Sequence, residues 1–204
     1  MKNNTIPEIY AYLRNQMQGV NPLLNAITEN IMASILVYGA TGAQGRPVAQ
    51  QLIAAGHKVR LLVRPSQLAR VSDLEDRGAT VVEGDLTDPA SLARASAGVD
   101  GVFLLIPFFD PRLDYAINAI DAARAAGVQK IVWNATGKIL PVHTGSRNVD
   151  VRRDILAHLE ASGLSFVALQ PTVYMENLLG PWTAPEVAAH DRLAYPIPNT
   201  VRLQ

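Results

Sequence analysis

Ser34-Ile-Leu-Val-Tyr-Gly-Ala-Thr-Gly-Ala-Gln-Gly-Arg46 decides the fold of this chain. The apolar run Ile35 to Tyr38 stops at Gly39, glycines recur at Gly42 and Gly45, and an amphipathic run opens at Arg46. This is the order of a buried strand, a glycine turn and a helix N-terminus. Free backbone N–H groups and the positive end of the helix dipole converge at such a turn, where they can hold a pyrophosphate. Gly39 permits the tight turn, Gly42 lets the backbone approach the phosphates, and Gly45 lets helix and strand pack closely. A glycine triplet alone says little; one flanked by strand and helix points to a dinucleotide.

Working outward, the chain alternates. Strands are expected at Lys58 to Val63, Ala79 to Glu83, Asp100 to Ile106, Lys130 to Trp133 and Ser165 to Leu169. Between them fall helical stretches at Ser66 to Arg77, Pro89 to Ala97 with Asp88 as N-cap, Leu113 to Ala126, and Val149 to Ser162. The strands are near-continuous apolar runs, as strands covered on both faces must be. Repeated βα units of this kind predict an α/β fold with a doubly wound parallel sheet of the Rossmann type.

Composition agrees with one such domain. The chain has 204 residues, 49% of them hydrophobic, enough for a single core. Lys+Arg and Asp+Glu both number 18, so no bulk field attracts nucleic acid or an anionic membrane. No apolar stretch approaches the length of a membrane span, and no signal-peptide pattern is present; a cytoplasmic location is expected. The absence of cysteine excludes disulfides and thiolate chemistry, and His57, His143, His158 and His190 lack metal-ligand spacing. No metal is expected.

Gly39-Ala-Thr-Gly-Ala-Gln-Gly45, Val59-Arg-Leu-Leu-Val-Arg64 and Gly84-Asp-Leu-Thr-Asp88 with Ser91-Leu92 together resemble the NmrA-like family of atypical short-chain dehydrogenase/reductase relatives. Ala122-Ala-Arg-Ala-Ala-Gly-Val128, Ser162-Gly-Leu164 and Gln170-Pro-Thr-Val-Tyr-Met-Glu-Asn-Leu178 extend the likeness, which runs from Met32 to the C-terminus. The resemblance implies an NAD(P) site along the carboxyl edge of the sheet, with Gly39, Thr41, Gly42, Ala43, Gln44 and Gly45 as its pyrophosphate turn. NAD-selective sites place an acid at the end of the second strand, about 20 residues past the glycines. Arg64 stands there instead. A guanidinium pairs with a 2′-phosphate through two parallel hydrogen bonds, so NADP(H) is expected over NAD(H); the alternative is an ordinary solvated arginine. By resemblance, Asp85 meets the adenine amino group with Leu86 beside the ring, although Asp85 is equally suited to forming the turn. Ile106-Pro107 marks the passage of the nicotinamide ribose, and Tyr174, with Glu176 and Asn177, belongs to the nicotinamide-side segment.

The chemistry departs from the wider superfamily pattern, which uses a Tyr-x-x-x-Lys pair on the helix before the sixth strand. Here the tyrosine slot holds Asn148 and the lysine slot Arg152. Asn148 is neither acid nor base, and Arg152 stays protonated. Arg152 can hold ribose hydroxyls or stabilise an oxyanion, and Asn134 or Thr136 takes the place of the usual serine. These three are the candidate catalytic residues; His143 is an outside candidate for a general acid. Three readings remain open: an oxidoreductase reducing a small carbonyl or quinone, a non-catalytic dinucleotide-sensing regulator that binds a protein partner, and a purely structural partner module whose N-terminal helices form the interface.

Both ends depart from the family pattern. Residues 1–31 form an extension with a Thr5/Glu8 capping-box spacing and an apolar stripe at Ile6, Ile9, Tyr10, Leu13 and Met17, followed by a second helical run from Asn21-Pro22. Short amphipathic helices need a surface to dock on, so this extension is read as a separate helical segment and a candidate homo-oligomer contact, or as residues upstream of a true start at Met32. Residues 32–204 are read as the dinucleotide-binding domain, short at its C-terminus: Leu193-Ala-Tyr-Pro-Ile-Pro198 resembles the strand leading into a family lobe that does not follow.

Overall fold

A computed structural model describes residues 32–107, 112–171, 174, 177 and 183–190. The expected extension, Glu176, and Leu193 to Pro198 lie outside them.

Six strands form one parallel sheet: β1 (Ser34–Val37), β2 (Lys58–Val63), β3 (Thr80–Glu83), β4 (Gly101–Leu105), β5 (Lys130–Asn134) and β6 (Ser165–Leu169). Their spatial order is β3-β2-β1-β4-β5-β6, and every neighbouring pair is parallel. The chain runs outward from β1 to β3, then crosses back to start again at β4. The strand order therefore reverses between β1 and β4, and a crevice opens there beyond the strands' carboxyl ends. The expected doubly wound sheet is present.

Among the described residues the helices are α1 (Gly45–Ala54), a 3₁₀ helix (Pro65–Arg70), α2 (Ser72–Asp76), α3 (Pro89–Ser96), α4 (Leu113–Ala125), α5 (Arg147–Ser162) and α6 (Ala184–His190). Successive residues of β1 serve opposite faces, as strand geometry requires. Leu36 joins Leu92, Leu104, Ile120, Trp133 and Ile155 in one core, while Val37 joins Ala49, Leu61, Leu74 and Phe103 in the other. At the β6 edge the burial alternates, leaving Val167 and Leu169 exposed.

One expected element divides. The helix read from Ser66 to Arg77 breaks at Val71, whose φ of −123° and ψ of 7° are not helical. Leu68, Val71 and Leu74 follow one another at steps of three, the period of a 3₁₀ turn, and Val71 and Leu74 are fully buried. Burying that row costs the continuous α-helix. Helix α5 begins at Arg147, before the expected Val149. Asp150 in its first turn accepts from the N–H groups of Thr144 (2.7 Å) and Gly145 (2.8 Å), which draws the preceding loop onto the helix end. Asp88 caps α3 as expected, accepting from Ala90 N–H at 3.0 Å. No described helix is long and apolar enough to cross a membrane.

Candidate functional site

The glycine turn occupies the switch point between β1 and β4. Gly39 has φ +74°, a conformation that favours glycine, and its carbonyl accepts from Gly42 N–H at 3.0 Å. The three glycines serve distinct steric ends. A Cβ on Gly45 would overlap the Gly39 carbonyl oxygen and lie 2.5 Å from the Gly39 carbonyl carbon and 2.9 Å from Ala40 N. A Cβ on Gly42 would meet only the Gly39 oxygen, at 3.4 Å. Gly45 is thus required for the fold, whereas the space beside Gly42 is open to a ligand.

That space belongs to a cavity of about 400 Å³ beyond β1, β2 and β3, bordered by Gly39, Thr41, Gly42, Arg64, Asp85, Leu86 and Pro107. The sequence singles out all seven. Gln67 and Tyr115 border it as well. Gln67 stands three residues beyond Arg64, and Tyr115 opens α4; only the packing of these turns against one another reveals them. Arg64 is exposed, and its guanidinium makes no hydrogen bond or ion pair with any described residue. Asp85 performs the turn role: its Oδ1 accepts from Thr87 N–H at 2.9 Å and Thr87 Oγ1 at 2.8 Å. The Thr87 N–H bond is the main cause of a carboxyl pKa below the usual range, and the nearby Arg64 charge lowers it further. Ala43 is exposed at the tip of the turn.

A second, water-sized cavity of about 20 Å³ lies at the ends of β4 and β5, bordered by Ile106, Pro107, Asn134, Thr136, Asn148 and Arg152. Pro107 borders both cavities, so they form successive parts of one sheet edge. Arg152 donates from Nε to the Ala135 carbonyl at 2.8 Å, with Gly137 close beneath its guanidinium. Burial lowers its pKa from the ordinary arginine value. Thr136 is the one described non-glycine residue with positive φ, at 56°, a rare state for a β-branched residue. Its N–H donates to Asn134 Oδ1 at 2.9 Å and its Oγ1 to the Ala135 carbonyl at 2.7 Å, and these bonds hold the strained turn.

Asn134 is the hub of this end. Its Nδ2 donates to Gln44 Oε1 at 3.1 Å, and its Oδ1 also accepts from Tyr174 O–H at 3.0 Å. One buried amide thereby ties the glycine turn, the end of β5 and the segment after β6. Gln44, expected at the cofactor, directs its side chain to Asn134. His143 lies away from both cavities, exposed, with Nε2 2.9 Å from Asp154 Oδ1.

The NmrA-like family matches residues 32–201. An NAD(P)H azoreductase of Xenophilus azovorans is 32% identical over 148 residues, 71% of this chain and 50% of that protein. An NADPH-dependent quinone oxidoreductase of Escherichia coli, solved with NADPH, superposes with a TM-score of 0.63 at 27% identity, over 77% of this chain and 54% of that one. The Citrobacter sp. triphenylmethane reductase complexed with NADP(H) gives 0.61 at 26%, over 70% and 50%. The chain spans about half the length of the relatives it matches.

Proposed function

Because this chain belongs to the NmrA-like family, we propose that it binds NADP(H) along the carboxyl edge of its sheet and serves an oxidoreductase that reduces a small quinone or carbonyl compound. The observation that carries the reading is the open backbone at Gly42 sharing one cavity with Arg64, an exposed arginine that makes no hydrogen bond or ion pair with a described residue. Those residues fit the cofactor: the glycine turn receives pyrophosphate, Arg64 pairs with a 2′-phosphate, and Leu86 and Tyr115 flank the adenine. The relatives solved with NADP(H) or NADPH support the same choice.

A bound nicotinamide would supply hydride at the smaller cavity. There Asn134 holds Tyr174 and Gln44 in place, while Thr136 and Arg152 are the polar groups able to meet a substrate oxygen. Among the described residues no Asp, Glu, His, Lys or Tyr borders that cavity. This favours acceptors whose reduced oxygen needs no immediate proton. A quinone qualifies: its hydride adduct is a phenolate, the base of an acid with a pKa near 10 like that of tyrosine, whereas a simple ketone gives a far more basic alkoxide. Arg152 stabilises the phenolate oxygen, and solvent supplies its proton.

Titration of NADPH and NADH by fluorescence, followed by NADPH oxidation with 1,4-benzoquinone, menadione and aldehydes, tests the proposal. Tight NADPH binding with turnover confined to quinones is expected; failure to bind either nucleotide refutes it. Asn148 and Arg152 in the usual tyrosine and lysine slots favour one second reading, a cofactor-sensing regulator, which binding without reduction of any acceptor would support.

A further inference from the structure

Gln67 has a place in the larger cavity that the glycine motif alone does not disclose. It follows Arg64 within one turn of the 3₁₀ helix, and its backbone N–H donates to the Arg64 carbonyl at 2.8 Å. Both side chains border the larger cavity next to Gly42. The Gln67 carboxamide is also oriented: Oε1 accepts from Thr41 Oγ1, in the glycine turn, at 3.1 Å. With its oxygen held, the amide presents Nε2 and two N–H donors on its other side. That nitrogen donates to no described protein group. Asp85 borders the same cavity at the end of β3, and its carboxyl, held below the usual pKa range chiefly by the Thr87 N–H and also by the nearby Arg64 charge, disfavours an anion beside it. The favourable place for a phosphate is therefore between Arg64 and Gln67.

We propose that Gln67 is a second specificity-determining residue for the 2′-phosphate: Nε2 donates to the phosphate that Arg64 neutralises, with the direction of the amide set by Thr41. The proposal rests on the NADP(H) reading above. It adds a physical link between the two phosphate subsites, because the residue that orients Gln67 belongs to the pyrophosphate turn.

The test measures dissociation constants of NADP⁺, NAD⁺, 2′,5′-ADP and 5′-ADP by calorimetry for the parent, Gln67→Glu and Gln67→Ala. The Gln67→Glu variant keeps an acceptor for Thr41 while replacing the N–H donors with negative charge. It should weaken NADP⁺ and 2′,5′-ADP about tenfold or more and leave NAD⁺ and 5′-ADP within about twofold. Gln67→Ala should weaken only the 2′-phosphorylated ligands, and by less. Equal losses for ligands with and without the 2′-phosphate, or an unchanged NADP⁺/NAD⁺ ratio, overturn the proposal. A folded parent that binds neither dinucleotide overturns the cofactor reading and this one with it, whereas a parent that prefers NADP⁺ with unaltered variants overturns only the role of Gln67.

Discussion

Replacing Gly42 by valine separates the binding function of the glycine turn from its structural one. Gly42 lies outside the left-handed region, and an added Cβ meets a single atom, the Gly39 oxygen, at 3.4 Å. The variant should therefore fold, with its melting temperature within a few degrees of the parent's. Its branched methyl groups would occupy the space where a pyrophosphate must approach the backbone. Loss of that approach should weaken NADPH at least tenfold, about 1.4 kcal/mol or more. Gly45→Ala is the internal contrast. Its Cβ would collide with the Gly39 carbonyl and lie 2.9 Å from Ala40 N, all backbone atoms that cannot rotate aside. Overpacking of this kind costs about 1–3 kcal/mol or more. At roughly 2–4 °C per kcal/mol for a domain of this size, the melting temperature should fall by about 2–12 °C. Fluorescence titration with NADPH and thermal unfolding followed by circular dichroism read the two effects. Equal NADPH affinity in folded Gly42→Val and parent would refute the dinucleotide cradle as drawn. A Gly45→Ala variant as stable as the parent would refute the assignment of close packing.

Arg64→Glu should weaken NADP(H) far more than NAD(H), since the new carboxylate repels a 2′-phosphate; an unchanged ratio of affinities would show that Arg64 does not read it. Arg152→Ala should reduce quinone turnover and cofactor affinity without introducing a pH-dependent step near neutrality. A rate profile governed by one group near pH 7 and abolished by His143→Ala would move the chemistry to His143, against its exposed position beside Asp154. Asp85 has a folded pKa below its ordinary value, so its contribution to stability is present above the unfolded carboxyl pKa, near 4, and is lost as pH falls through the folded value. The stability difference between parent and Asp85→Asn should accordingly hold from pH 7 to about 5 and shrink below about 4. A gap that stays constant down to pH 2.5 in chemical unfolding would contradict this.

Much of the architecture was legible because buried parallel strands are written as unbroken apolar runs. β2 and β4 could be bounded to within a residue for that reason, and Gly39, Gly42 and Gly45 marked the turn and the helix after β1. The 3₁₀ segment was not legible: Leu68, Val71 and Leu74 fit the amphipathic pattern of an α-helix as well as a three-residue period, and only the packing against β2 and its neighbours selects the latter. The larger cavity was largely readable, since Thr41, Arg64 and Asp85 each lie just beyond a strand end. Gln67 and Tyr115 escaped because their places depend on how two separate turns pack. The Gln44–Asn134–Tyr174 tie was out of reach for a stronger reason. Its members come from three distant parts of the chain and meet only once the order β1-β4-β5-β6 is known.

The reversal of strand order also bears on how a ribosome delivers this domain. β1 is an interior strand, paired with β2 on one side and β4 on the other. β2 emerges soon after it, but β4 follows about 60 residues later, which at cellular elongation rates of roughly 5–20 residues per second is several seconds. Until β4 arrives, the side of β1 that β4 will cover is an unpaired edge, and Leu36 and Val37 have a strand beside them on the β2 side alone. This is the period in which a holding chaperone, or a pause in translation before Gly101, would have the greatest effect on yield. Synonymous recoding that hastens synthesis of residues 64–105 should raise the soluble fraction, and slowing the same stretch should lower it.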